Sequence, residues 1–214
     1  NYFKPLSPLV EELMEEFDQR IDPNEQGAPF YFNTKLYQIK SEKGQEYQKI
    51  FLQEGEKEIL YFDQNERAQG KEYYDLADWE PSPDNKLLAV SEDNVGRRKN
   101  TISIRKNKNG KYLKDRIEDS NGDIIWSNDN KAIYYIKKDE QTLREFQVYR
   151  HIIGEKSSED ELIYQEDDEK FSVSFYKSKT RKYIFIASYS SMTSEVLWLD
   201  AADSRAKVNV FIPR

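Results

Sequence analysis

Few side chains in this sequence have the type and the neighbours to do chemistry. His151 is the one histidine, and there is no cysteine. Disulfides and thiolate metal sites are therefore excluded, and a zinc site of the usual His-rich kind has no ligands to draw on. A histidine can act as a general base, but a catalytic serine needs a strained strand-to-helix elbow of the G-x-S-x-G type. None of the eight glycines begins one. His151 follows Arg150 on an expected strand with no elbow nearby, so it reads as a packed residue. No glycine loop that could cradle a phosphate is present. The expected catalytic, metal and cofactor sets are all empty.

The charged residues offer contacts rather than catalysis. Arg97 and Arg98 follow the acidic Glu92 and Asp93 between two expected strands, and Glu72 precedes that region. Charges on such loops ordinarily face solvent. Arginine nevertheless suits a contact with a carboxylate, because its planar fork can hold one with two hydrogen bonds. The basic stretch from Arg105 to Lys114 surrounds Asn109-Gly110, a hairpin-tip signal, in a chain of net charge −7, so it reads as a solvated turn and no nucleic-acid partner is expected. The acidic run from Ser157 to Lys170 reads as a solvated loop and strand edge whose carboxylates can attract cationic peptides.

The elements that must position these residues are mostly strands. With 214 residues the chain can form one ordinary domain or a large part of one. Charged residues make up 34% and aromatic residues 14%, 15 of them Tyr. Disordered acidic chains are poor in aromatics, whereas Tyr suits strands that are half wet and half packed. No apolar run approaches the roughly 20 residues of a membrane span, so no membrane partner is expected. The first residue is Asn and no signal-peptide pattern follows, which reads as an internal boundary of a longer protein. The compartment, cytoplasmic or periplasmic, stays open.

One helix is expected near residues 8–21. Ser7 is its expected cap, Pro8 suits the first turn, Glu11 and Glu12 meet the helix dipole, and Asp22-Pro23 stops it. Leu9, Leu13, Met14, Phe17 and Ile21 fall on one face, which reads as a packing face.

Beyond the helix the sequence repeats. Four apolar runs begin with Lys35, Lys86, Lys131 and Lys182. A short strand is expected before each, at 29–33, 76–80, 123–127 and 171–176. A third follows at 47–53, 101–106, 145–151 and 195–201, and a fourth at 57–63, 112–118, 160–166 and 207–212. Trp79 is followed by Asp84-Asn85-Lys86 and Trp126 by Asp129-Asn130-Lys131. Gly44, Gly110, Gly122 and Gly154 fall between the strands. The second strands, Leu87-Leu88-Ala89-Val90 and Ile133-Tyr134-Tyr135-Ile136 among them, are nearly all apolar, so both of their faces should be covered. Four-stranded units of this length that bury both faces are propeller blades. A two-sheet sandwich, the main rival, would alternate on most strands and would not repeat. The expected fold is all-β: a partial β-propeller with blades at about 29–63, 76–118, 123–166 and 171–212, after a short helix.

Glu92-Asp93-Asn94-Val95-Gly96-Arg97-Arg98 followed by Thr101-Ile102-Ser103-Ile104-Arg105 resembles the second blade of the oligopeptidase B branch of the prolyl oligopeptidase family. Tyr149-Arg150-His151 running through Gly154 into Asp160–Glu166, Thr193-Ser194-Glu195-Val196 with Leu199-Asp200-Ala201, and the terminal Phe211-Ile212-Pro213-Arg214 extend the likeness over nearly the whole chain. The resemblance implies a propeller of roughly seven blades capping an α/β-hydrolase domain with a Ser-His-Asp triad. It implies a serine peptidase that cuts short peptides, preferentially after Arg or Lys. Residues 1–24 would connect from the hydrolase domain, residues 25–214 would be propeller, and this chain alone would be inactive. Positions matching Glu72 and Arg98 would pair across to the hydrolase domain and help govern opening and closing, with Arg97 beside them. The partners implied are that hydrolase domain and short basic peptides. A post-proline cutter in the same family, or a stand-alone propeller serving as a protein-interaction module, are the alternatives. With only four blades, the first and fourth would each leave one face uncovered, so the chain could self-associate.

Overall fold

A computed structural model describes residues 4–214, which fall into two compact units divided between Gln69 and Gly70. In the first unit α1 spans Ser7–Arg20. Pro8 lies in its first turn as expected, but Ser7 does not cap it. The cap position is Leu6, which has no side-chain hydrogen bond, and Glu11 and Glu12 lie beyond the first turn. Ile21 closes the helix with its N–H on the Phe17 carbonyl at 3.1 Å, just before Asp22-Pro23. The apolar stripe is present but uncovered, since no residue of α1 is buried.

Four strands follow, β1 Phe30–Phe32, β2 Lys35–Lys40, β3 Lys49–Glu54 and β4 Lys57–Asp63, in an antiparallel sheet of order β1-β2-β3-β4. A short helix that the sequence reading did not anticipate, α2 Gln64–Ala68, starts at Asp63, whose side chain accepts the Asn65 N–H at 2.8 Å.

The second unit holds three more blades. The second blade is β5 Asp75–Pro81, β6 Leu87–Asp93, β7 Asn100–Lys106 and β8 Tyr112–Ser120. The third is β9 Ile125–Trp126, β10 Ala132–Lys138, β11 Glu145–Ile152 and β12 Glu161–Gln165. The fourth is β13 Ser172–Lys177, β14 Tyr183–Tyr189, β15 Ser194–Asp200 and β16 Asn209–Ile212. All sixteen strands lie where the repeat places them. One detail differs: β9 is only two residues long, and beside it Ser120 of β8 bridges to Lys137 of β10, so the second and third blades share one hydrogen-bonded sheet.

The Asp-Asn-Lys repeat now has a local cause. Ser82 donates to Asp84 Oδ1 at 2.7 Å and accepts the Leu87 N–H at 3.0 Å. Ser127 donates to Asp129 Oδ1 at 2.6 Å and accepts the Ala132 N–H at 2.9 Å. In both turns an asparagine takes the left-handed conformation, Asn85 at φ 56° and Asn130 at φ 62°, which Asn tolerates better than most residues. Each turn thus satisfies its own backbone while reversing the chain from first strand to second.

The core of this unit lies in the seams between blades. Ile133 and Tyr135 of β10 pack with Ala89, Ile102, Ile104 and Ile117 of the second blade, and Trp126 joins them with no exposed surface. Tyr134 and Ile136, on the opposite face of β10, pack with Val173, Phe175, Ile184 and Ile186 of the fourth blade. Alternate residues of one strand therefore serve two seams.

Candidate functional site

The loop joining β6 to β7 carries Arg97 and Arg98, and its shape is set by Asp93. That carboxylate, 3% exposed, accepts the N–H groups of Val95 at 2.9 Å and Gly96 at 3.1 Å through Oδ1, and that of Arg98 at 2.7 Å through Oδ2. Three backbone donors on one acid fold the loop back on itself. Gly96 (φ 72°) and Arg98 (φ 54°) are both left-handed. At Gly96 a Cβ would come to 3.4 Å from the Tyr73 ring, so glycine suits both the backbone conformation and the close approach. Glu92 is held separately, accepting the Tyr74 hydroxyl at 3.0 Å.

Tyr73 brings Glu72 into the picture, for its ring covers Gly96 while Glu72, next in chain, is exposed. Glu72, Arg97 and Arg98 thus share one end of the second blade, and all three are exposed. None of the three side chains has an ion pair or hydrogen bond among the described residues. The Arg98 carbonyl is nevertheless tied, accepting a hydrogen bond from the Lys138 ammonium of the third blade. Burial and the nearby Arg98 hold Lys138 below the ordinary amine range, against the pull of Glu145. Tyr73, Asp75, Arg98, Asn100, Lys138 and Glu145 line an open cavity of about 430 Å³ at this seam. Gly122, next in chain to the lining residue Asn121, could not be another residue easily: at φ 122° a Cβ there would sit 3.0 Å from the Ala77 Cβ.

The residues missed by sequence reasoning are therefore the ones that hold the loop, Asp93, Tyr73 and Lys138. An Asp followed by Asn-Val-Gly was the available signal for the first, since Asp commonly closes such turns with its own side chain. Nothing local marked Lys138, which arrives from the next blade.

The other residues singled out lie elsewhere. His151 has no exposed surface and sits between Asp115 and Asp160, so it is a packed residue. Asn109-Gly110 turns the basic hairpin, with the Gly110 N–H on the Lys106 carbonyl at 2.9 Å. The acidic run is only partly solvated. Asp167, Asp168 and Glu169 are exposed, but Glu166 is buried and accepts hydrogen bonds from Ser188 and Arg214.

A second charged group lies on the first strands. Asp78 accepts the Ile124 N–H at 3.0 Å, and burial pushes its carboxyl up to about 6 despite that bond. Burial, with Asp78 adding to it, pushes Glu80 up to about 7. Lys177 of the fourth blade donates to the Trp126 carbonyl at 2.7 Å, and burial holds it down to about 8. No group of three or more His, Cys, Asp or Glu suited to a metal ion occurs among the described residues.

Comparison with known proteins agrees with this architecture. Residues 1–214 match the family described as "Prolyl oligopeptidase, N-terminal beta-propeller domain". The chain is 30% identical to the dipeptidyl aminopeptidase BI of Pseudoxanthomonas mexicana, over 98% of this chain and 31% of that protein. Among solved structures it superposes on oligopeptidase B from Leishmania major with a TM-score of 0.89 at 27% identity, covering 99% of this chain and 31% of that one. On the closed form of Trypanosoma brucei oligopeptidase B, which carries covalently bound antipain, the TM-score is 0.82 at 28% identity, covering 99% and 32%. The chain spans about a third of the length of these proteins.

Proposed function

This chain belongs to the prolyl oligopeptidase N-terminal β-propeller family, and we propose that its work is exclusion within a longer serine peptidase. The blades would roof the active site of an α/β-hydrolase domain, which a short flexible peptide can enter and a folded protein cannot. Residues 1–24 would lead from that domain into the propeller at 25–214. The likeness to oligopeptidase B over 99% of the chain supports the reading, and the preference for cutting after Arg or Lys is what the sequence resemblance to that branch implies. Glu72, Arg97 and Arg98 would form the contact that opens and closes the roof. Their support is geometric: a loop held stiff by Asp93 presents Arg97 and Arg98, with Glu72 nearby, and no described residue pairs with these side chains.

The test uses the full-length protein and this chain side by side. Cleavage of an Arg-containing fluorogenic peptide by the full-length protein, with buffer-level signal from this chain and no cleavage of the same sequence inside a folded protein, is the expected result. Efficient cutting within the folded protein would overturn the exclusion reading. A second reading has an observation behind it, the relative named a dipeptidyl aminopeptidase. It predicts that blocking the N-terminus of the test peptide abolishes cleavage, whereas an oligopeptidase still cuts the blocked peptide.

A further inference from the structure

The outer half of the seam between the second and third blades contains a charged core that the proposed function does not use. His151 on β11 is fully buried and lies between two acids with almost no exposure. Its Nδ1 stands 2.6 Å from Asp160 Oδ1, in the loop before β12 of its own blade. Its Nε2 stands 3.1 Å from Asp115 Oδ1, on β8 of the preceding blade. Asp115 also accepts the Gly154 N–H, and Asp160 accepts the Tyr135 hydroxyl at 2.8 Å through its other oxygen. Tyr135 stacks on Tyr149 at 5.6 Å, and the Lys137 ammonium lies over the Tyr149 ring at 5.0 Å. Arg150 turns to the opposite face, where it binds Glu161 and the Ala206 carbonyl.

The hydrogen-bond inventory favours a doubly protonated ring. An ionised carboxylate only accepts, and a neutral imidazole has one donor and one acceptor nitrogen. With a carboxylate at each nitrogen, a neutral ring would aim a lone pair at a buried carboxylate oxygen. A doubly protonated ring donates to both. We infer that this seam is a pH-responsive clamp, held shut by a protonated His151 shared between Asp115 and Asp160 and loosened when the ring loses its proton. Loss of that proton leaves two buried carboxylates from different blades, Asp115 on β8 and Asp160 in the loop before β12, with one proton fewer between them.

The electrostatics run the same way. Burial alone would lower the imidazole, but the hydrogen bonds and charges of Asp160 and Asp115 outweigh it and hold the ring above its ordinary value. A histidine raised in the folded state contributes stability that is whole below the unfolded value of about 6.5 and is lost as pH climbs through the folded one. The clamp therefore weakens on the alkaline side.

Because His151 is the one histidine, the intact chain gives a single imidazole Cε1–H signal by NMR. Its titration midpoint should lie above about 6.5, with both ring nitrogens protonated below that midpoint and the melting temperature falling as pH rises through it. Asp115→Asn, which keeps the shape and removes one charge, should move the midpoint down and flatten that fall. A midpoint at or below the ordinary value, a melting temperature indifferent to the titration, or an unmoved midpoint in Asp115→Asn would each overturn the clamp. The wild-type titration decides the matter even if the variant does not fold.

Discussion

The strands β10 and β14 hold the same place in successive blades and meet different surroundings. Ala132–Ile136 of β10 are buried without a break, because the second blade covers one face and the fourth covers the other. On β14 burial alternates: Ile184, Ile186 and Ser188 face the third blade and are covered, whereas Tyr183 and Tyr189 are exposed. Tyr183 packs edge-on against Trp198 at 5.2 Å and Phe185 lies 5.6 Å from Phe211, so the far face of the fourth blade is an aromatic shelf with a groove of about 350 Å³. Both strands read in sequence as apolar runs. A run records what a strand is able to bury, and its neighbours decide what it does bury.

The largest expected effect is on the covered strand's side of this contrast. Trp126→Ala empties a site with no exposure and removes the indole donor to the Glu80 carbonyl at 2.9 Å. By analogy with other buried aromatics it should cost about 3–5 kcal/mol in chemical denaturation. Phe185→Ser on the shelf should cost about 1 kcal/mol or less. Equal losses would erase the distinction between the two strands.

The shelf should reveal itself in association rather than stability. Sedimentation of the chain across concentration should show a mass that rises with protein, and Phe185→Ser with Trp198→Ser should suppress the rise, because paired aromatic patches are poorly tolerated in water. A dilution-insensitive monomer in the parent chain would mean that the shelf is wetter than its residues suggest.

A smaller effect comes from the carboxyls beside the covered seam. Asp78 and Glu80 are raised to about 6 and about 7. An acid raised in the folded state contributes stability present below its unfolded value and lost as pH rises through the folded one. The melting temperature should therefore fall between about pH 4 and 7 on this account, and Glu80→Gln should remove much of the slope. An unchanged slope in Glu80→Gln would assign it to other groups.

Arg98→Ala and Glu72→Ala should be the quietest, within about 0.5 kcal/mol of the parent chain because neither side chain has a partner among the described residues to lose. In the full-length protein the same changes should alter kcat/KM or substrate affinity. Unchanged constants would leave both residues as solvated loop charges.

The elements were legible because each blade repeats a turn with a left-handed residue, a lysine and an apolar run, and the second and third blades share a turn closed by Ser and Asp. Less legible was whatever depends on who arrives from outside the repeat. The stripe on α1 was visible in Leu9, Leu13 and Phe17, but all three are exposed. Arg97 and Arg98 were visible as charges, whereas the Lys138 that ties the Arg98 carbonyl comes from the next blade. His151 read as packed, but its two acids lie 36 and 9 positions away, and only folding shows that both address one ring.

Three hydrogen bonds across the seam of the second and third blades join residues with the same separation. Ile124 donates to Asp78, Trp126 to the Glu80 carbonyl and Asp84 to Asn130, each pair 46 positions apart. One blade is thus laid on the other in fixed register, like threads of equal pitch. Chain length can change freely only where it leaves that pitch undisturbed at the contacts. The loop tip near Lys108 should accept inserted residues or a tag. A single insertion within 78–84 or 124–130 would put every later contact of the seam out of step.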